Sequence, residues 1–163
     1  MTLLSLGVYE GALAQAGRAI ALSPNLAVAH GWLGHVLIWS GRPKDGLAEV
    51  QRYRRLDPRD PSMAILWMQE VVAHYFCCEY EAATQVAKGV IRSYPDFPLP
   101  YRWLAAALGQ AGWIDEANQA LQKAVTVSPA SFEIYVRARP AWFRAEDHVH
   151  MLEGLRKAGW REE

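Results

Sequence analysis

The sequence predicts an all-α protein that is built from repeated pairs of helices. Two observations indicate this fold. The stretch from Pro98 to Ser131 contains two amphipathic helical patterns that meet at Gly112. Prolines that close a helix also recur at separations of 34, 37 and 34 residues, at Pro24, Pro58, Pro95 and Pro129. A period of this length is typical of helical repeats that bury their apolar faces against their neighbours.

The central pair of helices follows from the spacing of its apolar residues. In each helix these residues recur every three or four positions, which places them on one face. They are Tyr101, Leu104, Ala105 and Leu108 in the first helix and Ala117, Leu121 and Ala124 in the second. Gly112 is predicted to end the first helix in a left-handed conformation. Because the turn is short, we expect the helices to be antiparallel and in close contact at Ala105 and Ala117.

Nine residues of this unit match, in order, the pattern of the tetratricopeptide repeat, which is 34 residues long. They are Tyr101, Leu104, Ala105, Leu108, Gly112, Ala117, Leu121, Ala124 and Pro129. The chain therefore resembles the tetratricopeptide repeat family. The resemblance implies a right-handed superhelix of antiparallel helix pairs, and it implies protein binding without catalysis.

Residues 1–163 are predicted to form one domain of stacked repeats. Its first unit is truncated, with a turn at Gly7, so either the chain is a fragment or another surface covers this end. The last unit is degenerate: Pro140 interrupts it, and its second helix is expected to cap the stack. The units are residues 1–26 (truncated), 27–60, 64–97 and 98–131 (full repeats), and 132–163 (degenerate).

Two departures from the repeat pattern are predicted to alter local geometry. Cys78 occupies the place of the turn glycine in the third unit, and Tyr53 replaces a small residue in the second. The longer spacing between the second and third units is assigned to an extended connection at Arg59–Ser62. We expect the helices themselves to form in spite of these departures.

The composition of the chain limits which class of partner and which cellular compartment are expected. Seventeen basic residues balance seventeen acidic residues, which argues against nucleic-acid binding because such proteins normally carry a basic face. No apolar run is long enough to span a membrane, and the first residues lack a signal-peptide pattern. The two cysteines, Cys77 and Cys78, are adjacent, so a disulfide framework is excluded. We therefore predict a cytoplasmic protein.

The polar residues do not form a catalytic or metal-binding pattern. His148 and His150 are two positions apart on a predicted helix, so they point to opposite sides and cannot bind one metal ion. Asp147 is interpreted as a helix-capping residue. Cys77 and Cys78 are interpreted as buried residues at a helix end, because no cation is placed to lower a thiol pKa. The sequence therefore predicts no cofactor, no metal and no enzymatic activity.

The family resemblance implies that the first helix of each unit lines a concave groove. The lining is then Val28, Gly31, His35, Ile38, Trp39, Ile65, Met68, Val72, Tyr75, Phe76, Leu99, Arg102 and Ala106. Exposed apolar and aromatic surface of this kind suits an amphipathic helix or an extended peptide. The alternative is that some of the set, such as Ile65, Val72 and Leu99, is core between repeats. We assign partner binding to His35, Ile38, Trp39, Met68, Val72, Tyr75, Phe76, Arg102 and Ala106.

The tail from Arg139 to Gly159 is similar to the C-terminal end of bacterial multidomain adenylate or guanylate cyclase-like proteins and related winged-helix regulators. The resemblance implies that the chain is the scaffold or sensor part of a signalling protein. No cyclase catalytic residue has a counterpart in this sequence. The alternative function is therefore that of a regulatory region whose catalytic domain lies elsewhere.

Self-association is a further expectation from the sequence. The truncated first unit leaves apolar side chains without their usual cover, among them Leu3, Leu4, Leu6, Leu13 and Ile20. Burial of each large aliphatic side chain contributes roughly 1.5–3 kcal/mol. A few such contacts are enough to favour a homodimer over a monomer.

Overall fold

The computed structural model describes residues 3–60 and 63–162, and within them all regular secondary structure is helical. The helices are α1 (Leu3–Leu22), α2 (Ala27–Trp39), α3 (Pro43–Leu56), α4 (Met63–Phe76), α5 (Tyr80–Ser93), α6 (Leu99–Ala111), α7 (Ile114–Val127), α8 (Pro129–Arg137) and α9 (Ala145–Lys157). Pro61 and Ser62 of the predicted connection, and the side chains of Leu3, Leu4 and Leu6, lie outside what is described.

Neighbouring helices pack in the order of a solenoid. Helix α2 packs on α3, α4 on α5 and α6 on α7, and α3 and α5 then pack on the first helix of the following pair. Each pair buries the apolar stripe of one helix against the other, as the sequence pattern predicts. The predicted fold class, an all-α superhelix of antiparallel helix pairs, is confirmed.

Helix α1 differs from the prediction. It runs without interruption from Leu3 to Leu22, so the predicted turn at Gly7 is wrong. A glycine inside a helix costs only about 1 kcal/mol, and alanine and leucine around this position favour the helix. Gly41, by contrast, does lie in a turn. Pro43 follows it at the start of α3, and a glycine followed by a proline favours the end of one helix and the start of the next.

The turns that join α4 to α5 and α6 to α7 have the geometry that the repeat pattern predicts. Gly112 ends α6 in the left-handed region, with φ of 81°, as predicted. Cys78 occupies the equivalent position after α4, and its φ of 61° is also left-handed although it carries a side chain. The connection between α4 and α5 therefore keeps the shape of a glycine turn, at the cost of backbone strain.

Small residues allow the helices of a pair to approach each other closely. Ala105 and Ala117 are both fully buried, as expected. Between α2 and α3 the contact involves Gly34 and Gly46, where a Cβ atom on Gly34 would lie only 2.8 Å from the carbonyl oxygen of Gly46. Tyr53, which replaces a small residue, is fully buried and packs with Met63 and Leu66 in a separate apolar cluster.

The C-terminal part of the chain does not stack as predicted. Helix α8 packs on α7, but residues 138–144 then leave the stack and α9 packs mainly on α6. We call residues 138–158 the C-terminal segment. It crosses the face of the first helices of the pairs and reaches α1, where the Tyr9 hydroxyl donates a hydrogen bond to the carbonyl of Trp142. Helix α9 therefore lies along α6, and residues 142–144 cover the ends of α2 and α4.

Replacing Gly34 by alanine should destabilise the fold. The added methyl group would meet Val50 and the backbone of Gly46, so α2 and α3 must separate, at a cost of about 1–3 kcal/mol. Chemical denaturation monitored by circular dichroism measures this change. The matched control is Gly11→Ala in α1, where nothing lies within 4 Å of the new methyl group. It should raise stability by about 0.5–1 kcal/mol through helix propensity, and equal effects at both positions would contradict the proposed contact.

Candidate protein-binding groove

The groove is the face of α2, α4 and α6 on which the C-terminal segment lies. Its centre is an aromatic cluster in which Trp39 contacts Phe76, Trp103 and Phe143 edge to face. The ring centroids of Trp39 and Phe143 are 4.9 Å apart. Phe143 is fully buried in this cluster, whereas Trp142 is 41% exposed and covers Trp39 from the rim.

The structure buries most of the residues to which the sequence assigns partner binding. Ile38, Trp39, Met68, Val72, Tyr75, Arg102 and Ala106 are buried, whereas His35 and Phe76 are half-buried. The predicted exposure of this lining is therefore wrong, and the physical reason is that the C-terminal segment and the neighbouring helices cover it. The role of these residues in binding a partner stays a prediction.

The buried residues do not all face the C-terminal segment. Trp39, Tyr75, Phe76 and Ala106 contact it directly. Ile38 instead lies against Gly46 of α3, so it belongs to the core within a pair. At the outer edge, Val28 is 44% exposed and Ile65 is 55% exposed.

Hydrogen bonds hold α9 on α4 and α5. The Tyr75 hydroxyl donates to the carbonyl oxygen of His150 at 2.7 Å, and the Tyr80 hydroxyl lies 2.9 Å from Nε2 of the same histidine. Burial lowers the pKa of His150, which favours the neutral ring that accepts a hydrogen bond from Tyr80. Burial also raises the pKa of Tyr75, so its hydroxyl keeps its proton.

Glycines bring the backbones of α6 and α9 into contact. A Cβ atom on Gly154 would lie 2.6 Å from the carbonyl oxygen of Ala106, and one on Gly109 would overlap the carbonyl of Gly154. The two helices cross at Gly109 of α6 and Gly154 of α9, so the backbone of α9 lies directly on that of α6. Any larger residue at either glycine would lift α9 away from α6.

Charged groups surround the start of α9. Arg144 pairs with Glu146 and lies 3.5 Å from Oδ2 of Asp147. Its guanidinium group covers Gly41 of the α2–α3 turn, where a side chain would collide with it. Burial raises the pKa of Asp147 to about 6, and the Arg144 charge only partly opposes this. Oδ2 of Asp147 also lacks a hydrogen-bond partner in the part of the chain that the structure describes.

Arg102 is a buried cation beside the groove. Its guanidinium group lies 4.0 Å from the ring centre of Tyr135 in α8, and burial lowers its pKa to about 10. Within residues 3–60 and 63–162, its Nε atom has no hydrogen-bond partner. A buried guanidinium with an unsatisfied donor costs free energy.

The remaining polar candidates contact different parts of the fold. Nε2 of His148 lies 2.7 Å from the carbonyl of Tyr135, far from the contacts of His150. Cys77 is half-buried and burial raises the pKa of its thiol, whereas Cys78 is exposed, contrary to its predicted burial. In the described ranges, no group of three His, Cys, Asp or Glu side chains is arranged to hold a metal ion.

None of the described helices combines the length and apolarity that a membrane span requires.

Sequence reasoning missed several residues of the groove. Trp103 is 1% exposed and contacts Phe76 and Phe143. Trp142 and Phe143 form an aromatic pair directly after Pro140, in a stretch that separates two helices. Two large aromatic residues in such a connection signal that it packs against another part of the protein. The signal does not say which part.

Asp147→Asn should stabilise the protein at neutral pH. Because the folded pKa is raised, the charged carboxylate destabilises the folded state, and stability falls as pH rises from about 4 to about 6. The variant lacks this charge. We expect it to be about 1–2 kcal/mol more stable than wild type above pH 6, since the charge attraction to the start of α9 offsets part of the gain.

Urea denaturation at several pH values measures this difference between the two proteins. The gap should narrow as pH falls towards 4 and close below it, because Asp147 is protonated in both states only below its unfolded pKa of about 3.9. Glu146→Gln, at an exposed neighbour of the same helix turn, is the matched control and should not gain stability. A constant gap at every pH would show that burial of the charge is not the cause.

Comparisons with known proteins agree with the repeat architecture. The tetratricopeptide repeat model matches residues 3–66. The solved structure of MamA has a TM-score of 0.69 at 19% identity, covering 97% of this chain and 93% of that chain. MamA 41-end from Desulfovibrio magneticus RS-1 has the same TM-score and identity, covering 96% of this chain and 86% of that one.

A third solved structure, YrrB, is described as a tetratricopeptide repeat protein with an unusual peptide-binding site. It has a TM-score of 0.63 at 18% identity, covering 96% of this chain and 79% of that chain. No curated protein matches the sequence. The tetratricopeptide repeat match is therefore limited to residues 3–66, and the solved structures share the fold of this chain.

Proposed function

We propose that this protein is a non-catalytic interaction scaffold that binds a helical or extended apolar segment of a partner protein in the groove. The observation that carries the proposal is the C-terminal segment itself. It places Phe143 among Trp39, Phe76 and Trp103 and lays α9 along α6. The surface thus has the shape and chemistry to hold an aromatic residue followed by a helix.

Two of the contacts in the groove do not depend on the side chains of the bound segment. Tyr9 and Tyr75 donate their hydrogen bonds to main-chain carbonyls, those of Trp142 and His150. A different segment with the same backbone course offers the same acceptors. The aromatic cluster then selects for a large apolar side chain at the position of Phe143.

A partner must compete with the C-terminal segment, because this segment already occupies the groove. A partner binds only after the C-terminal segment leaves, so its apparent affinity is reduced by the fraction of molecules that are open. The segment leaves no gap at Phe143, which is fully buried. Weakening the segment should therefore increase binding by a competitor.

A second candidate function is that of a regulatory region for a nucleotide cyclase domain in a longer protein. It rests on the resemblance of Arg139–Gly159 to the C-terminal end of cyclase-like proteins, and these residues include Trp142 and Phe143, which pack in the groove. Release of the segment would then be the regulated step. The homodimer expected from the apolar side chains of the first unit also remains a proposal.

A synthetic peptide with the sequence of residues 138–158 tests the groove. We expect the labelled peptide to bind the full-length Phe143→Ala variant at least about tenfold more tightly than wild type, because the variant's own segment loses a buried aromatic contact. Fluorescence anisotropy measures the affinity. Tyr75→Phe removes the groove's donor to the carbonyl of His150 and should not increase binding, because the peptide loses the same hydrogen bond as the chain's own segment, worth about 1 kcal/mol.

Two further variants serve as controls for the peptide experiment. Adding Trp39→Ala to Phe143→Ala should abolish peptide binding while circular dichroism remains helical. Adding Trp113→Ala instead should leave binding unchanged, since Trp113 is 39% exposed at the start of α7. Binding that survives loss of Trp39, or no binding to the Phe143→Ala variant, would overturn the proposal. Light scattering on the same samples reports whether two copies of the chain associate.

A further inference from the structure

A second concavity lies on a different face of α6. It is an open cleft between α5 and α7, with α6 at its base and a volume of about 730 Å³. Leu104 and Leu108 of α6 face this cleft, whereas Ala106 and Gly109 face α9. The α5–α7 cleft is therefore separate from the groove that the C-terminal segment fills, and nothing in the described chain occupies it.

The base of the α5–α7 cleft is apolar. Leu104 and Leu108 are almost fully buried beneath it, and Ile91 of α5 and Tyr101 of α6 are half-buried at its sides. Tyr101 directs its hydroxyl to the carbonyl of Pro95, so its ring remains as apolar lining. The base can therefore receive aliphatic side chains, but it offers few polar partners.

The rim of the cleft carries an excess of positive charge. Lys88 forms an ion pair with Glu116 across the cleft at 2.7 Å. Arg92 and Lys123, which are both exposed, have no ion-pair partner among residues 3–60 and 63–162. The charged side chains that line the cleft are thus three cations and one anion. An occupant with carboxylates at its edges would pair with the two free cations.

The walls of the cleft favour a helix over an extended strand. The backbone amides and carbonyls of α5 and α7 are hydrogen-bonded within those helices, so they provide no edge to which a strand could add. Two neighbouring helices instead present a furrow into which the side-chain ridges of a third helix fit. Apolar residues at intervals of three and four would then meet Leu104, Leu108 and Ile91.

We propose that the α5–α7 cleft binds an acidic amphipathic helix of a partner protein. The apolar stripe of that helix lies on the base of the cleft, and its flanking carboxylates pair with Arg92 and Lys123. This second binding site does not depend on the groove. A partner on each face of α6 could bind at the same time, because the two surfaces share no exposed residue.

A designed peptide tests this proposal on the full chain. The probe is a labelled amphipathic helical peptide with leucines on one stripe and glutamates on both flanks. We expect saturable binding that weakens about tenfold in the double variant Arg92→Glu/Lys123→Glu, because two attractive pairs become repulsive. Fluorescence anisotropy measures the affinity, and circular dichroism checks that the variant folds.

Matched controls separate the cleft from general charge effects. Lys44→Glu/Arg55→Glu changes the net charge equally at exposed positions of α3, outside the cleft, and should leave peptide binding unchanged. A peptide with lysine in place of each glutamate should bind at least about tenfold more weakly to wild type. No saturable binding of the glutamate peptide, equal binding of both peptides, or equal losses in both double variants would overturn the proposal.

Discussion

The burial of Phe143 is the contact on which the arrangement of this protein depends. Its ring lies among Trp39, Phe76 and Trp103, which belong to three successive helix pairs. In a repeat array most contacts join neighbouring units. This residue joins α2, α4 and α6 directly, and Tyr9 extends the connection to α1 through Trp142. The C-terminal segment therefore acts as a long-range tie across the inner face of the solenoid.

Helix α6 contributes to both of the proposed binding surfaces. One face of this helix contacts α9 through Ala106 and Gly109, and another forms the base of the α5–α7 cleft through Leu104 and Leu108. The first face is closed by the chain itself and opens only if α9 leaves. The second is open and positively charged at its rim. The two surfaces differ in the kind of partner that they suit.

Much of the solenoid could be predicted because its determinants are local. The spacing of apolar residues predicts the helix pairs, and Gly112 takes the left-handed conformation that its place in the pattern requires. Cys78 adopts similar geometry without being a glycine, since the neighbouring helices impose the turn. The turn at Gly7 was wrong because one glycine cannot end a helix without other stop signals.

The sequence by itself determined which faces of the helices are apolar and where the helices of each pair turn, because both depend on contacts a few residues apart. Only the tertiary structure decided what covers the inner face. The hydrogen bond from Tyr9 to Trp142 joins residues 133 positions apart, and no local period encodes such a contact. An apolar stripe at Trp39 and Tyr75 fits an external partner and the chain's own C-terminal segment equally well, since burial of apolar surface is not directional.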